Sequence, residues 1–407
     1  MDWLAAGCVA LGSGTQGMRM KPRRLLSIAH SYSVRLNRRL VREISRAAGD
    51  RWEVTAVAPS FFRGDFGARA MEPQRADETY RLLSVSAHWS RRIHLMWYGA
   101  RVREIVEEGW DLVHCWEEPY IVAGAQIAWL TPRRTPFVFW TAQNLSKRYP
   151  PPFCWFERYC LRRCAAWLAC GRSVVETLVA RGYGAKPHRL MPLGIDLDHF
   201  YPSPAARVRV QSGLGWRDAD APVIGYLGRF VIEKGIKLLM EALSTVTTSW
   251  RALFVGSGPL EAELRRWASA YGDRVRIKTG VTHDEVPDYL NAMDVLCAPS
   301  QSTPRWREQF GRMLVEAFGC GVPVIASDSA EIPYVVGDAG LVVGERDLQG
   351  WRGAIENLSR DPSLRARYGD RGRTRAAAVY SWPVIGRQYL EFFDELVDRS
   401  RPGASDR

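Results

Sequence analysis

Two wound α/β halves facing a cleft are the fold predicted for this 407-residue chain, and three observations predict it. Short apolar runs of strand length alternate with helix-length segments between residues 23 and 343, the pattern of parallel strands buried on both faces. The series pauses once, near residue 200, where Pro202, Pro204 and the polar run 217–222 separate one set of strands from the next. The length suffices for two domains with complete cores.

Residues 25–29 read as the first strand, followed by a helix over 37–47, a strand over 54–58, a helix over 95–108 and a strand over 111–115. Strands at 137–141, 166–170 and 190–193 continue the first set. The second set comprises 223–227, 252–255, 275–279, 295–298, 322–326 and 340–343. Such alternation implies parallel sheets with right-handed crossovers and ligands at the strand C-termini. Ile385, Tyr389, Phe392, Phe393 and Leu396 recur at helical spacing and predict a closing helix over 382–399. The domains expected are 21–200 and 201–380, with the closing helix and tail over 381–407 and a disordered extension over 1–20.

Composition fits a soluble enzyme, with 46% hydrophobic and 25% charged residues. No stretch approaches the roughly 18 to 20 apolar residues of a membrane span. Residues 1–200 hold 29 Lys and Arg against 18 Asp and Glu, an excess of +11, whereas 201–407 hold 27 against 26. A basic first half suits an anionic membrane surface or an anionic acceptor, and equally a solvated surface with no partner; no nucleic-acid-binding module accompanies it. The eight cysteines lack paired spacing and read as free, mostly buried thiols suited to a reducing cytoplasm. Near the N-terminus, Gly12–Gly17 matches a dinucleotide glycine pattern, but Met-Arg-Met-Lys-Pro-Arg-Arg follows it in place of an amphipathic helix, so the match is rejected.

The segment richest in chemistry is Glu308-Gln-Phe-Gly-Arg-Met-Leu-Val-Glu316. Two glutamates eight residues apart are usually a solvated helix face. A helix beginning near Phe310 would instead leave Glu308 in the loop above its N-terminus and put Glu316 about two turns in. The free amides between them, near Phe310, Gly311, Arg312, Met313 and Leu314, would then face one ligand. Such a slot suits a diphosphate at the helix N-terminus and hydroxyls at the carboxylates. Upstream stand Gly225-Tyr-Leu-Gly228-Arg229-Phe-Val-Ile-Glu-Lys234-Gly-Ile236 and Gly256-Ser-Gly258-Pro259.

In this order, these motifs resemble the donor-binding half of retaining glycosyltransferases of family 4, which have the GT-B fold. The resemblance implies that Arg229 and Lys234 are the cations on the donor diphosphate, that Glu308 holds the transferred sugar and Glu316 the ribose. It also places Gly228, Gly256, Gly258 and Val281 around the nucleotide, and returns the closing helix to the first domain. Transfer would proceed with retention. The β-phosphate charge that develops would be stabilised by Arg229, Lys234 and the helix N-terminus, with no metal and no cofactor. Asp196-Leu-Asp198 sits in a segment resembling the family's interdomain hinge, so its aspartate is read as structural or cleft-lining and not as a metal site.

The first half departs from the family. His30-Ser-Tyr-Ser33 replaces a Gly-Gly loop, and Trp140 stands where many relatives have a histidine. Acceptor-side candidates are His30, Tyr32, Glu117, Glu118, Gln143, Asn144 and Lys147, with Gln143-Asn144 favoured by its place at a strand exit. The function expected is transfer of a sugar from a nucleoside-diphosphate sugar to a glycan or lipid-linked acceptor, in bacterial surface polysaccharide or glycolipid synthesis. The site of action expected is the cytoplasm or the inner face of its membrane. Two alternatives stay open: a nucleotide-sugar 2-epimerase of the same fold, and a catalytically silent sugar-nucleotide-binding protein.

Overall fold

The computed structural model describes residues 21–64, 67–216 and 221–400. The extension 1–20 with its glycine pattern, most of the polar run 217–222 and the last seven residues lie outside the described residues.

Two all-parallel sheets carry the two halves. The first has seven strands in the order His188–Leu190, Ala166–Ala169, Phe137–Thr141, Leu112–Cys115, Arg23–Ile28, Trp52–Pro59, Arg81–Val85. The second has six: Val275–Lys278, Arg251–Val255, Val223–Leu227, Val295–Ala298, Val324–Ser327, Gly340–Val343. In each, the first strand in sequence lies centrally between the second and the fourth, so the winding reverses there. Parallel strands covered by helices on both faces must be apolar throughout, which is why Leu25, Leu26, Leu112, Val113, Val223, Ile224, Val295 and Leu296 are all buried. A reversal of winding opens a crevice at the strand C-termini.

The structure corrects several sequence expectations in the first half. Residues 95–108 are not one helix: the run Trp97–Tyr98 pairs antiparallel with Ala87–His88, and the helix occupies only Arg101–Glu107. Gly99 breaks the run, because a Cβ there would sit 2.1 Å from Ser86 Oγ. Strand 190–193 is shifted to His188–Leu190, since Pro192 cannot donate to the ladder. The edge strand Arg81–Val85 and the hairpin Phe61–Gly64 with Gly67–Ala70 were not anticipated.

The chain crosses between the halves twice, and the two crossings pair with each other. Ile195 N–H donates to Tyr380 O at 2.7 Å, and Trp382 N–H donates to Ile195 O at 3.1 Å. Gly194 must be glycine here, for a Cβ would lie 2.3 Å from the Trp382 ring. After this crossing the Trp382–Ser400 helix packs on the first half, burying Ile385, Tyr389, Phe392, Phe393 and Leu396 against Leu40, Val41 and Ile44. Arg23 and Arg51 fix its outer face through Asp394 at 2.5 and 2.9 Å. Asp196 meets Arg39 at 2.5 Å, a structural contact at the crossing. All seven cysteines among the described residues are free, and six are buried.

Candidate functional site

At the winding reversal of the second sheet, three loops are locked together by glycines. Gly228 follows the first strand, and a Cβ on Gly256 would lie 1.9 Å from its carbonyl oxygen. On Gly258, a Cβ would stand 2.6 Å from Phe230 O. Gly235 has φ +67°, and its Cβ would fall 1.7 Å from Pro299 O. Backbone meets backbone at all three points, so no side chain can be accommodated. The result is a rigid seat for Arg229 and for Lys234, which ends the turn Ile232–Lys234.

Lys234 Nζ lies 2.5 Å from Glu308 Oε2 and 5.0 Å from the Trp306 ring centre. Ser300 donates to the same carboxylate oxygen at 2.9 Å. The following helix runs Arg312–Gly319, starting two residues later than expected because Gly311 takes φ +80°, a conformation that sequence periodicity does not reveal. Leu314 corrects the reading in a second way. Its N–H already donates to Gly311 O at 2.9 Å and its side chain is buried in the core, so it offers the crevice nothing. Among the described residues the amides of Gly311, Arg312 and Met313 have no acceptor, which leaves them free for an anion. Glu316 follows on the same helix, buried, with its carboxyl pushed up to about 7 by burial against a smaller opposing effect of Arg312.

Gly228, Arg229, Lys234, Glu308, Phe310, Gly311, Arg312, Met313 and Glu316 thus line one crevice of about 360 Å³, closed from the first half by Trp140, Ala142 and Cys170. Its size falls within the roughly 300–1,000 Å³ of small-molecule sites. Val281 lies outside this lining, packed at the edge of the second core after Gly280 at φ +71°. Beside it, Thr282 and Glu285 form a reciprocal cap. His283 turns towards Arg312, and burial and that cation hold its imidazole down to about 4.

The acceptor-side candidates divide. Tyr32 is fully buried, its hydroxyl bonded to Ser27 at 2.9 Å, so it belongs to the core and not to the crevice. Glu117 accepts from the His30 backbone N–H at 2.6 Å, from His30 Nδ1 at 2.6 Å and from Tyr98 Oη at 2.5 Å. It shapes the first loop and its side chain is sealed from the crevice by burial, while the His30 ring stacks on Phe62. Trp140 donates to Met191 O at 3.1 Å and packs edge-on against Trp116. Gln143 and Asn144 lie at the interface between the halves, where Asn144 Nδ2 donates to Glu308 O at 2.9 Å. Gln309 Nε2 returns the contact to Ala142 O at 2.8 Å. Sequence reasoning missed Ser300, Trp306 and Gln309. The signal was the length of the connection, residues 299–311, long for a strand-to-helix loop.

Two family models match the chain: Glycosyltransferase Family 4 over residues 38–199 and Glycosyl transferases group 1 over residues 216–375. Among similar proteins is the GDP-mannose-dependent alpha-(1-6)-phosphatidylinositol monomannoside mannosyltransferase of Mycolicibacterium smegmatis, 33% identical over 49% of this chain and 54% of that protein. A D-inositol 3-phosphate glycosyltransferase of Xylanimonas cellulosilytica is 32% identical over 58% of each chain. The chain therefore spans just over half the length of these relatives. Sucrose-phosphate synthase from Thermosynechococcus elongatus superposes with TM-score 0.70 at 22% identity, covering 93% of this chain and 100% of that one. HepE of Anabaena, solved with UDP, gives 0.69 at 18% identity over 92% and 100%. These likenesses confirm the two-domain fold. The relatives are transferases, and the epimerase expectation finds no support among them.

Proposed function

The chain belongs to glycosyltransferase family 4, and on that premise we propose that it transfers a sugar, with retention, from a nucleoside-diphosphate sugar to a glycan or lipid-linked acceptor of the bacterial surface. One observation carries the reading: two cations, a carboxylate, a helix N-terminus with free amides and a second buried carboxylate line a single crevice between the halves. Charge accumulates on the leaving diphosphate as the glycosidic bond breaks, and preorganised donors are the most effective means of stabilising it. Arg229 is a forked donor and Lys234 a compact charge, so they suit different phosphate oxygens. Neither a metal nor a cofactor is required by this scheme.

Lys234 changes partner as the donor enters, from Glu308 to phosphate, which frees Glu308 for the sugar hydroxyls. Glu316 in its ionised form accepts from ribose hydroxyls. The acceptor oxygen approaches from the same face as the departing phosphate, between the donor sugar and the 142–144 turn. The names of the similar mannosyltransferases put GDP-mannose first among donors to test.

Work at the inner membrane face is part of the proposal. The helix Phe153–Arg163 exposes Trp155, Arg158, Tyr159 and Arg162 on one side, an aromatic and basic face in the half that carries the charge excess. Among the described residues no helix is long and apolar enough to cross a membrane.

The test is a thermal-shift series with UDP-, GDP-, ADP- and dTDP-sugars, run beside Glu316→Ala. Stabilisation by one nucleotide class that weakens in the variant supports the assignment. Folded protein that responds to none of them sinks it, and tight binding without turnover in any acceptor mixture would favour the silent binding protein.

A further inference from the structure

Next to the donor crevice lies a second, smaller cavity of about 100 Å³, whose walls include Glu118, Gln143, Lys147, Tyr149, Arg305 and Arg307. Gln309 lines both spaces, and the Ala142–Gln143 turn divides them. Residues of both halves therefore build it, at the end of the crevice marked by Glu308.

Its charge is unbalanced. Lys147, Arg305 and Arg307 are exposed, and among the described residues none of them has an ion-pair partner. By contrast, Arg181 pairs with Glu157, and Lys234 with Glu308. The one carboxylate in the wall, Glu118, accepts from Thr141 Oγ1 at 2.6 Å and from Ala142 N–H at 2.9 Å, and burial nonetheless raises it to about 7. Even fully ionised it contributes one negative charge, so it does not cancel three permanent cations.

Gln143 supplies an independent sign. It is 6% exposed, and its Oε1 accepts from Tyr149 Oη at 3.2 Å and from Arg181 at 3.2 Å. Two donors on the oxygen fix the orientation of the amide, which leaves Nε2 as the free end. That nitrogen is buried and faces the Glu118 carboxyl as a donor that favours its ionised form, yet it completes no hydrogen bond of good geometry, so at least one of its two N–H groups is unspent. A buried N–H left open is unfavourable, and a ligand acceptor would satisfy it.

We propose that this cavity holds an anionic phosphate group of the acceptor, clasped by Lys147, Arg305 and Arg307 with Gln143 Nε2 as the buried donor. The inference rests on the transferase reading and names its acceptor class: a hydroxyl compound carrying a phosphate mono- or diester at a distance from the attacked oxygen. A phospholipid headgroup and a soluble phosphorylated sugar or polyol share that chemistry.

Binding is measured by calorimetry on the whole protein with the donor site saturated by the nucleoside diphosphate that stabilises it best. The probes are glycerol 3-phosphate, inositol 1-phosphate and dihexanoyl phosphatidylglycerol, the last kept monomeric. The wild type is compared with Arg305→Gln/Arg307→Gln and, separately, with Gln143→Leu. The expected result is at least a tenfold loss of probe affinity in the double variant, with nucleotide affinity unchanged as proof that the fold and donor site are intact. Preference for the phosphatidylglycerol probe identifies a lipid source, and preference for the small phosphates a soluble one. Undiminished binding in both variants overturns the proposal, as does failure of every phosphate probe in protein that binds nucleotide. If no nucleotide binds, the transferase reading fails by itself. The cavity is then judged by the same probes in an Arg229→Ala background, where the donor phosphate seat is disabled.

Discussion

Lys234 Nζ stands 2.5 Å from Glu308 Oε2, joining the turn after the first strand of the donor sheet to the long loop after its fourth. Both side chains are mostly buried, 16% and 8% exposed, so each depends on the other for charge balance. Glu308→Gln leaves an uncompensated ammonium and should destabilise the empty protein by ~2 kcal/mol, below the 3–5 kcal/mol of fully buried pairs. Lys234→Ala should lower turnover on the order of 10²–10³-fold, as loss of one donor to a developing oxyanion does elsewhere. Thermal melts and steady-state kinetics on both variants separate the two effects.

Glu316 gives a pH signature. Its carboxyl is raised from the usual carboxylate range to about 7 in the folded protein, chiefly by burial. The folded state thus holds a proton that the unfolded state has released, and stability falls as pH rises from about 4.5 to about 7 and is level above. Glu316→Gln should remove that slope and stabilise the empty protein at pH 8 by up to ~3 kcal/mol. Nucleotide affinity should rise with pH through about 7 in the wild type and stay flat in the variant. Denaturant titrations and calorimetry at several pH values test both.

Gly256→Ala should abolish donor binding before it abolishes folding. The added methyl would sit 1.9 Å from Gly228 O, so the loop carrying Arg229 must move. A cost of roughly 3 kcal/mol or more follows from strain at φ +148° and the clash together. Circular dichroism should show retained secondary structure, with a lowered Tm and no nucleotide shift.

Glu331 ties the halves together away from the crevice. From the second half it accepts from the backbone N–H groups of Arg172 and Ser173, both at 2.8 Å, and from Ser173 Oγ at 2.7 Å. Glu331→Ala should cost about 2–3 kcal/mol, since it removes charge-assisted bonds from a site only 3% exposed. The loss should appear in calorimetry as separation of one melting transition into two.

Much of the second half is legible in the sequence. Strands 223–227 and 295–298 fall where the apolar runs predict, because a strand buried on both faces must be continuously apolar, and the partly exposed edge strand 340–343 is marked by its apolar run alone. The first half is harder for the same reason reversed. The edge strand Arg81–Val85 is half-solvated and the paired strands Phe61–Gly64 and Gly67–Ala70 are largely exposed, so neither carries a periodic signal. In the site, residues adjacent in sequence were legible and residues adjacent only in space were not. Glu308 and Glu316 announce themselves on one loop and helix. Trp306 over Lys234 exists only once the donor half has folded, and Asn144 on the Glu308 carbonyl only once the two halves have met.

The paired crossings at Ile195 and Ser381 have a mechanical consequence. The donor half is an insert within the other, tethered at both of its ends, and the two tethers leave side by side. A body held at two adjacent points swings about a single pin and does not tumble as it would on one flexible leash. Tethering of this kind would restrict any opening of the crevice to a door-like swing. The Arg39–Asp196 pair sits at the pin, whereas Glu331 and Asn144 act as latches, so substitutions at the first should alter the path of the swing and at the others its resting angle.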